Sequence, residues 1–330
     1  MIVQIGKLGV RITIERNSSA ESPSVIMKGM HDRLGRFAAG KGAAHFELTI
    51  QPVPNIPWRA IIDRDDFTSM RGVVRALEQR FPFTRISFEE REIYGIDRVA
   101  SPPSDHIVLA PSPRLNRGDL SIIPQKQFLL LVDHATGRGH ALIKGQDTDE
   151  YVISLMKALQ GAVSLVAPDY GALMLHASSL AIDGWGYLFV GASGAGKSTI
   201  ASTAGAQSVL SDDGSWCCRT DGGFSLFPTP FSQLDPDPKA GGSAPLKRIL
   251  FLEKGTEDRI ADLSPGRAMV MLLSNHIHFL RFMGRGPALT AFGLAGEICR
   301  RHPVSTLVFT RDFDPKPFFR EIADESKKAV

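Results

Sequence analysis

Residues 191–198 of this 330-residue chain read Gly-Ala-Ser-Gly-Ala-Gly-Lys-Ser, a full match to the pattern G-x-x-x-x-G-K-[ST]. No other feature constrains the fold as strongly, because the pattern works only where a buried strand hands over to a helix. Both flanks comply. Tyr187–Val190 is a short apolar strand candidate, and Thr199–Ala206 can continue as a helix. Glycines at 191, 194 and 196 let backbone N–H groups turn inward around phosphate oxygens, and the helix N-terminus adds partial positive charge. In such a loop the Lys197 ammonium reaches the β- and γ-phosphates, and the Ser198 hydroxyl ligates Mg²⁺. The expected nucleotide-binding set is Gly191, Ala192, Ser193, Gly194, Ala195, Gly196, Lys197, Ser198 and Thr199. A glycine-rich turn that binds nothing is the alternative, and the full match in its required context favours the nucleotide.

Composition narrows the remaining classes. The chain is 43% hydrophobic and 22% charged, which excludes a disordered, collagen-like or coiled-coil protein. A net charge of +3 is no nucleic-acid footprint, which would need basic residues massed on one face. The 17 basic residues of 1–120 are matched by 14 acidic ones, so that stretch reads as a solvated mixed surface. No run of apolar residues reaches the roughly 18 of a membrane span, and the N-terminus carries no signal-peptide core. Cys217, Cys218 and Cys299 fit neither a disulfide framework nor a zinc site and read as buried apolar filling. A reduced, cytoplasmic protein is expected, with no nucleic-acid or membrane partner.

Length predicts two domains, divided near residue 120: an α+β N-terminal domain over 1–120, suited to substrate or partner recognition, and the loop-bearing domain over 121–330. In the first, the pattern predicts a strand or hairpin over 3–14, a loop over Asn17–Ser24 and a strand over Ala44–Gln51. It also predicts a helix over Val25–Ala39 with Met27, Met30, Leu34 and Phe37 on one face. Further on come a helix over Phe67–Arg80, a strand over Arg85–Glu89, and proline/serine breaks at Ser101–Ser104 and Pro111–Pro113. In the second, a hairpin joins Gln127–Asp133 to His140–Lys144, and Asp149–Val166 reads as a helix. Asp183-Gly184 turns strand Leu173–Ile182 into Gly186–Val190. Asp235–Pro245 reads as a surface loop, Lys247–Glu253 and Ser305–Thr310 as strands, and Ser264–Leu280 and Leu289–Arg301 as helices.

Val209-Leu-Ser-Asp-Asp213 places two carboxylates at the end of a short apolar run, 15 and 16 residues beyond Lys197. One could hold Mg²⁺ while the other accepts a proton from an attacking hydroxyl, the two tasks that phosphoryl transfer needs besides positioning. Neighbouring residues of a strand point to opposite faces, so a turn would have to bring both Asp212 and Asp213 into one site. A solvated Asp-Asp-Gly turn is the competing reading.

Residues 173–231 resemble the HPr kinase/phosphorylase family, most closely its divergent single-site, HPr serine kinase-like relatives. Three features carry the likeness in order: Leu175-His176-Ala177 before an Asp-Gly hairpin, the loop itself, and a hydrophobic-Ser-Asp-Asp sequence one helix later. It extends weakly to Phe309 and covers little or nothing of 1–120. The resemblance implies an α/β fold of the HPr kinase/PEP carboxykinase type, a P-loop domain with a mixed sheet. It implies ATP and Mg²⁺ at Gly191–Thr199, Asp212 and Asp213 as base and metal ligand in an order left open, Ser198 and Asp213 as metal candidates, and His176 orienting a carboxylate. On its own, a histidine in an apolar strand is more often a hydrogen-bonded core residue. Two departures argue against phosphorylase activity and against HPr as substrate: Thr199 stands where bifunctional members carry Glu, and Ser225–Phe231 replaces a Glu-Ile-Arg-Gly-like signature.

The expected activity is therefore an ATP- and Mg²⁺-dependent kinase acting on a hydroxyl, foremost a serine of a protein or peptide; such relatives accompany peptide-modification gene clusters. A small-molecule hydroxyl kinase and a non-catalytic nucleotide-binding regulator or assembly factor are the alternatives, and a homo-oligomer is left open. An ABC-type ATPase is excluded, since no LSGGQ-like signature follows. Arg248, Arg267 and Arg281 are candidates for steadying the transferring phosphoryl group. His276 and His278 should diverge on a helix and so not share a metal, and Trp185 should belong to its hairpin.

Overall fold

The computed structural model describes residues 1–15, 22–39, 43–53, 120–125, 127–204, 209–232 and 242–310, with Phe313 and Phe318. The helix expected at Phe67–Arg80, the strand at Arg85–Glu89, the two proline/serine breaks and most of the loops at Asn17–Ser24 and Asp235–Pro245 lie outside these residues. The described residues are mixed α/β and form two mixed sheets. The chain divides into two compact units, one of Met1–Val3, Gly9–Val166 and Arg281–Leu289, the other of Gln4–Leu8, Ala167–Leu280 and Thr290–Val330.

The first sheet has the order β3-β1-β2-β4-β7-β6-β5, from β1 (Ile2–Ile5), β2 (Leu8–Ile14), β3 (Ala38–Ala39), β4 (Phe46–Val53), β5 (Leu120–Pro124), β6 (Phe128–Asp133) and β7 (Arg138–Lys144). β2, β4 and β7 run parallel, while β5, β6 and β7 form an antiparallel meander. Helix α1 (Pro23–Leu34) starts with proline at a first-turn position, where its missing N–H costs nothing. It buries Met30 and Leu34 of the expected face, with Ile26 rather than Met27 beside them. Gly35, at positive φ, ends it, so Phe37 falls in a 3-10 turn rather than on the helix. Helix α2 (Thr148–Val166) opens with reciprocal caps: the Asp147 carboxylate accepts from Glu150 N–H at 2.9 Å, and Glu150 accepts from Gln146 N–H at 2.9 Å. By length and composition α2 could cross a bilayer; instead most of it is buried, as in a core helix.

The second sheet holds the loop. Its strands are β8 (Ala172–Ile182), β9 (Trp185–Val190), β10 (Val209–Ser211), β11 (Gly214–Thr220), β12 (Gly223–Phe227), β13 (Ala244–Lys254), β14 (Arg259–Asp262) and β15 (Val304–Phe309). β9, β13 and β15 are parallel, and the other pairings are antiparallel. The β8–β9 hairpin turns at Asp183 and Gly184, both at positive φ, the geometry that favours Asp-Gly in a two-residue turn. Helix α3 (Lys197–Ala204) is fastened by Ile200 and Ala201, which enter a core of Leu180, Tyr187, Phe189 and Leu250. Among the described residues the remaining α-helices are α4 (Pro265–Asn275) and α5 (Arg285–Arg301).

The helix expected over Ser264–Leu280 stops at Asn275. Beyond it the backbone pairs with β8: His176 N–H donates to His276 O at 2.8 Å, His278 N–H to Met174 O at 2.9 Å, and Leu175 bridges Ile277. These sheet bonds satisfy groups that another helical turn would otherwise have used, and the apolar spacing of the segment gave no sign of them.

Candidate functional site

The strand β9 ends at Val190, and the chain turns through residues 191–196 into α3. Gly194 and Gly196 hold φ of 75° and 101°, where L side chains are strained. At Gly196 space is lacking too, since a Cβ would meet the Phe309 ring at 2.7 Å. Ser178 on β8 ties the loop down by donating to the Lys197 carbonyl at 3.3 Å. The Lys197 ammonium lies inside the turn and donates to the carbonyls of Gly191 and Ala192 at 2.8 and 3.0 Å. Burial lowers its pKa, while the nearby Asp213 carboxylate opposes that shift.

Strand pairing brings the acidic residues to this loop. β10 pairs with β8 through Ser211 and Ser179, and β11 enters with Gly214 opposite His176. Between them Asp212 and Asp213 form a bend rather than strand, which removes the expected divergence of the pair. His176 Nε2 stands 3.0 Å from Asp213 Oδ1. That hydrogen bond holds the Asp213 carboxyl below its ordinary pKa, against the opposing effect of burial. Asp212 is buried, and its Oδ1 accepts from Ser232 Oγ at 2.5 Å. A cavity of about 440 Å³ is lined by His176, Ser193, Gly194, Gly196, Lys197, Ser198, Thr199, Asp212 and Asp213.

Some expected residues lie elsewhere. None of the three candidate arginines lines this cavity: Arg248 lines another one, Arg267 lies exposed in the first turn of α4, and Arg281 lies over the Phe282 ring. Trp185 starts β9, at the far end of that strand from the loop, with the Lys247 ammonium 4.6 Å from its ring. His276 and His278 follow the helix instead of riding on it. The His278 ring lies 5.3 Å from that of His176, and the His276 ring faces Phe251. Among the described residues no three His, Cys, Asp or Glu side chains form a metal cluster. Cys217, Cys218 and Cys299 are free and buried, and burial raises each thiol pKa.

Sequence reasoning missed Ser178 and Ser232, and it placed His278 on a helix rather than beside His176. Ser232 follows the Pro228-Thr-Pro-Phe231 run, whose prolines mark an irregular segment but do not say what it approaches. The contact of His278 depends on where α4 stops.

The second unit is thus defined by a glycine-rich loop and a pair of aspartates facing one polar cavity on a mixed sheet. The family model of the SynChlorMet cassette protein ScmC matches residues 141–283, a span that includes the loop, both aspartates, His176 and Ser232. No curated protein matches the chain. This finding corrects the HPr kinase/phosphorylase resemblance, since the family matched is a different one. The three features behind that resemblance are a strand, a phosphate-type loop and an acidic bend. They describe how a cavity is built, and they do not identify a lineage.

Proposed function

We propose that the chain is an ATP- and Mg²⁺-dependent phosphotransferase that moves the γ-phosphoryl group to a hydroxyl, foremost a serine of a protein or peptide. The observation that carries this reading is one cavity lined by Ser193, Gly194, Gly196, Lys197, Ser198 and Thr199 of the loop together with His176, Asp212 and Asp213. A finer fold reading goes with it: the second unit is a P-loop domain whose sheet is mixed rather than all-parallel. Phosphates entering the turn would take over the Lys197 ammonium from the Gly191 and Ala192 carbonyls.

The donor set suits Mg²⁺. The Ser198 hydroxyl and Asp213 carboxylate are hard oxygen ligands, and Mg²⁺ is ordinarily held by one or two protein groups plus substrate phosphates. Bound there, the ion would offset charge on the transferring group. The low pKa of Asp213 suits a metal ligand, which must stay ionised, and makes it a weak base. His176 then positions Asp213, and Asp212 accepts the proton of the attacking hydroxyl.

Replacement of Asp212 by Asn tests the proposal. Turnover with ATP and a serine peptide should fall by about 10²–10⁴-fold, as loss of a general base does, while ATP binding persists. Full transfer activity in Asp212→Asn rules out this chemistry. A wild-type chain that binds ATP but phosphorylates no hydroxyl supports the nucleotide-dependent regulator instead.

A further inference from the structure

We propose that Ser232 is an acceptor: the chain phosphorylates its own serine at the site just described. The inference rests on the phosphotransferase reading above. It starts from the 2.5 Å hydrogen bond that Ser232 Oγ donates to Asp212 Oδ1. A base must stand within hydrogen-bond reach of the proton it removes, and 2.5 Å is at the short end for a hydroxyl on a carboxylate. Asp212 lines the loop cavity, so the Ser232 hydroxyl bonded to it lies one hydrogen bond from that lining.

The segment that presents Ser232 is built into place. Three residues earlier Thr229, fully buried, donates its hydroxyl to Gly214 O at 2.6 Å and lies 3.4 Å from Ser211 Oγ. Ser211 and Gly214 are the two residues that flank Asp212 and Asp213. Thr229 therefore fixes the chain to both ends of the acidic bend, and Pro228 and Pro230 on either side restrict its backbone. A serine needed only to satisfy a buried carboxylate would give the same hydrogen bond but would never carry phosphate. Ser232 is half-buried rather than sealed in the core, so its hydroxyl remains open to reaction.

The step balances. Ser232 Oγ forms a bond to the γ-phosphorus of ATP as its proton passes to the Asp212 carboxylate. The bond from that phosphorus to the β,γ-bridging oxygen breaks, and ADP leaves with the electron pair.

The experiment incubates the full-length chain with ATP and Mg²⁺, follows intact mass, and maps the modified peptide. The expected result is one phosphoryl group per chain, on Ser232, formed at a rate independent of protein concentration. Ser232→Ala should abolish it, Ser232→Thr should restore it, and Asp212→Asn should lose it while still binding ATP. Thr229→Val should slow it by loosening the anchor. A chain that phosphorylates an added serine peptide but leaves Ser232 unmodified overturns the inference and leaves the kinase reading standing. A chain that binds ATP and modifies neither overturns both.

Discussion

Two cavities among the described residues of the second unit lie at opposite edges of its parallel strands, and the larger of them is the poorer candidate for binding a phosphate. The loop cavity, about 440 Å³, lies where β9 ends and α3 begins. The other, about 530 Å³, is lined by Arg248, Asp262, Arg300, Arg301 and His302. It lies where β15 begins and where Arg248 of β13 pairs with Tyr187 near the start of β9. Four residues separate Tyr187 from Gly191, roughly 13 Å of strand. Counting charges favours the second cavity for an anion, but backbone direction favours the first. At the carboxyl ends of parallel strands a helix presents its N–H groups, and at the amino ends the preceding helix presents its carbonyls. Arg300 and Arg301 lie in the last turn of α5, where cations offset the negative helix end, and Arg301 also pairs with Glu297 at 3.2 Å. Their charge answers a helix terminus and needs no ligand.

Lys197→Ala gives the sharpest test of that contrast. It removes the one ammonium that lines the loop cavity, and hydrogen bonds to charged groups contribute about 1.5–3 kcal/mol. ATP affinity should therefore drop on the order of 10²-fold by calorimetry, while the thermal midpoint changes little. Unaltered affinity would place the nucleotide elsewhere and erase the distinction between the two edges.

The same contrast explains what was legible in the sequence. The loop, its strand and the Asp-Gly hairpin could be read because each depends on residues adjacent in the chain: Gly194 and Gly196 carry their own backbone requirement, and Asp183-Gly184 makes its own turn. The Asp212–Asp213 bend is only a condition in the sequence, since the register of β10 and β11 against β8 creates it. Ser232 and His278 arrive through loops whose path is decided by distant partners, Thr229 on Gly214 for one and the 276–278 backbone on β8 for the other. Arg248 stays one of three open candidates in the sequence, because residue type announces charge but not which edge of a sheet receives it.

A smaller effect is expected at His176. His176→Asn removes the imidazole whose hydrogen bond chiefly holds the Asp213 pKa below 3.8, so that pKa should rise in the variant. In the wild type the contribution of the pair is complete above pH 3.8 and fades as pH falls from there through the depressed value; in the variant the contribution should be smaller and its loss should end at a higher pH. Carboxyl titration by NMR and the acid limb of unfolding both report it. Turnover should fall on the order of 10-fold, the usual cost of losing a group that orients a metal ligand. If the acid limb does not move, His176 fills space and does not position Asp213.

The smallest effect is expected at the opposite edge, and it tests the argument from backbone direction most directly. Arg248→Gln with Arg300→Gln strips two positive charges from the second cavity. If those charges serve the end of α5, the cost is to stability alone, within about 1 kcal/mol, because charge–dipole terms at exposed helix ends are of that size and are screened by salt. ATP affinity and transfer rate should match the wild type, and the stability loss should shrink as ionic strength rises. A tenfold loss of ATP affinity in the double variant would mean that the larger cavity takes part in binding. Charge would then outrank strand polarity in locating an anion on this sheet.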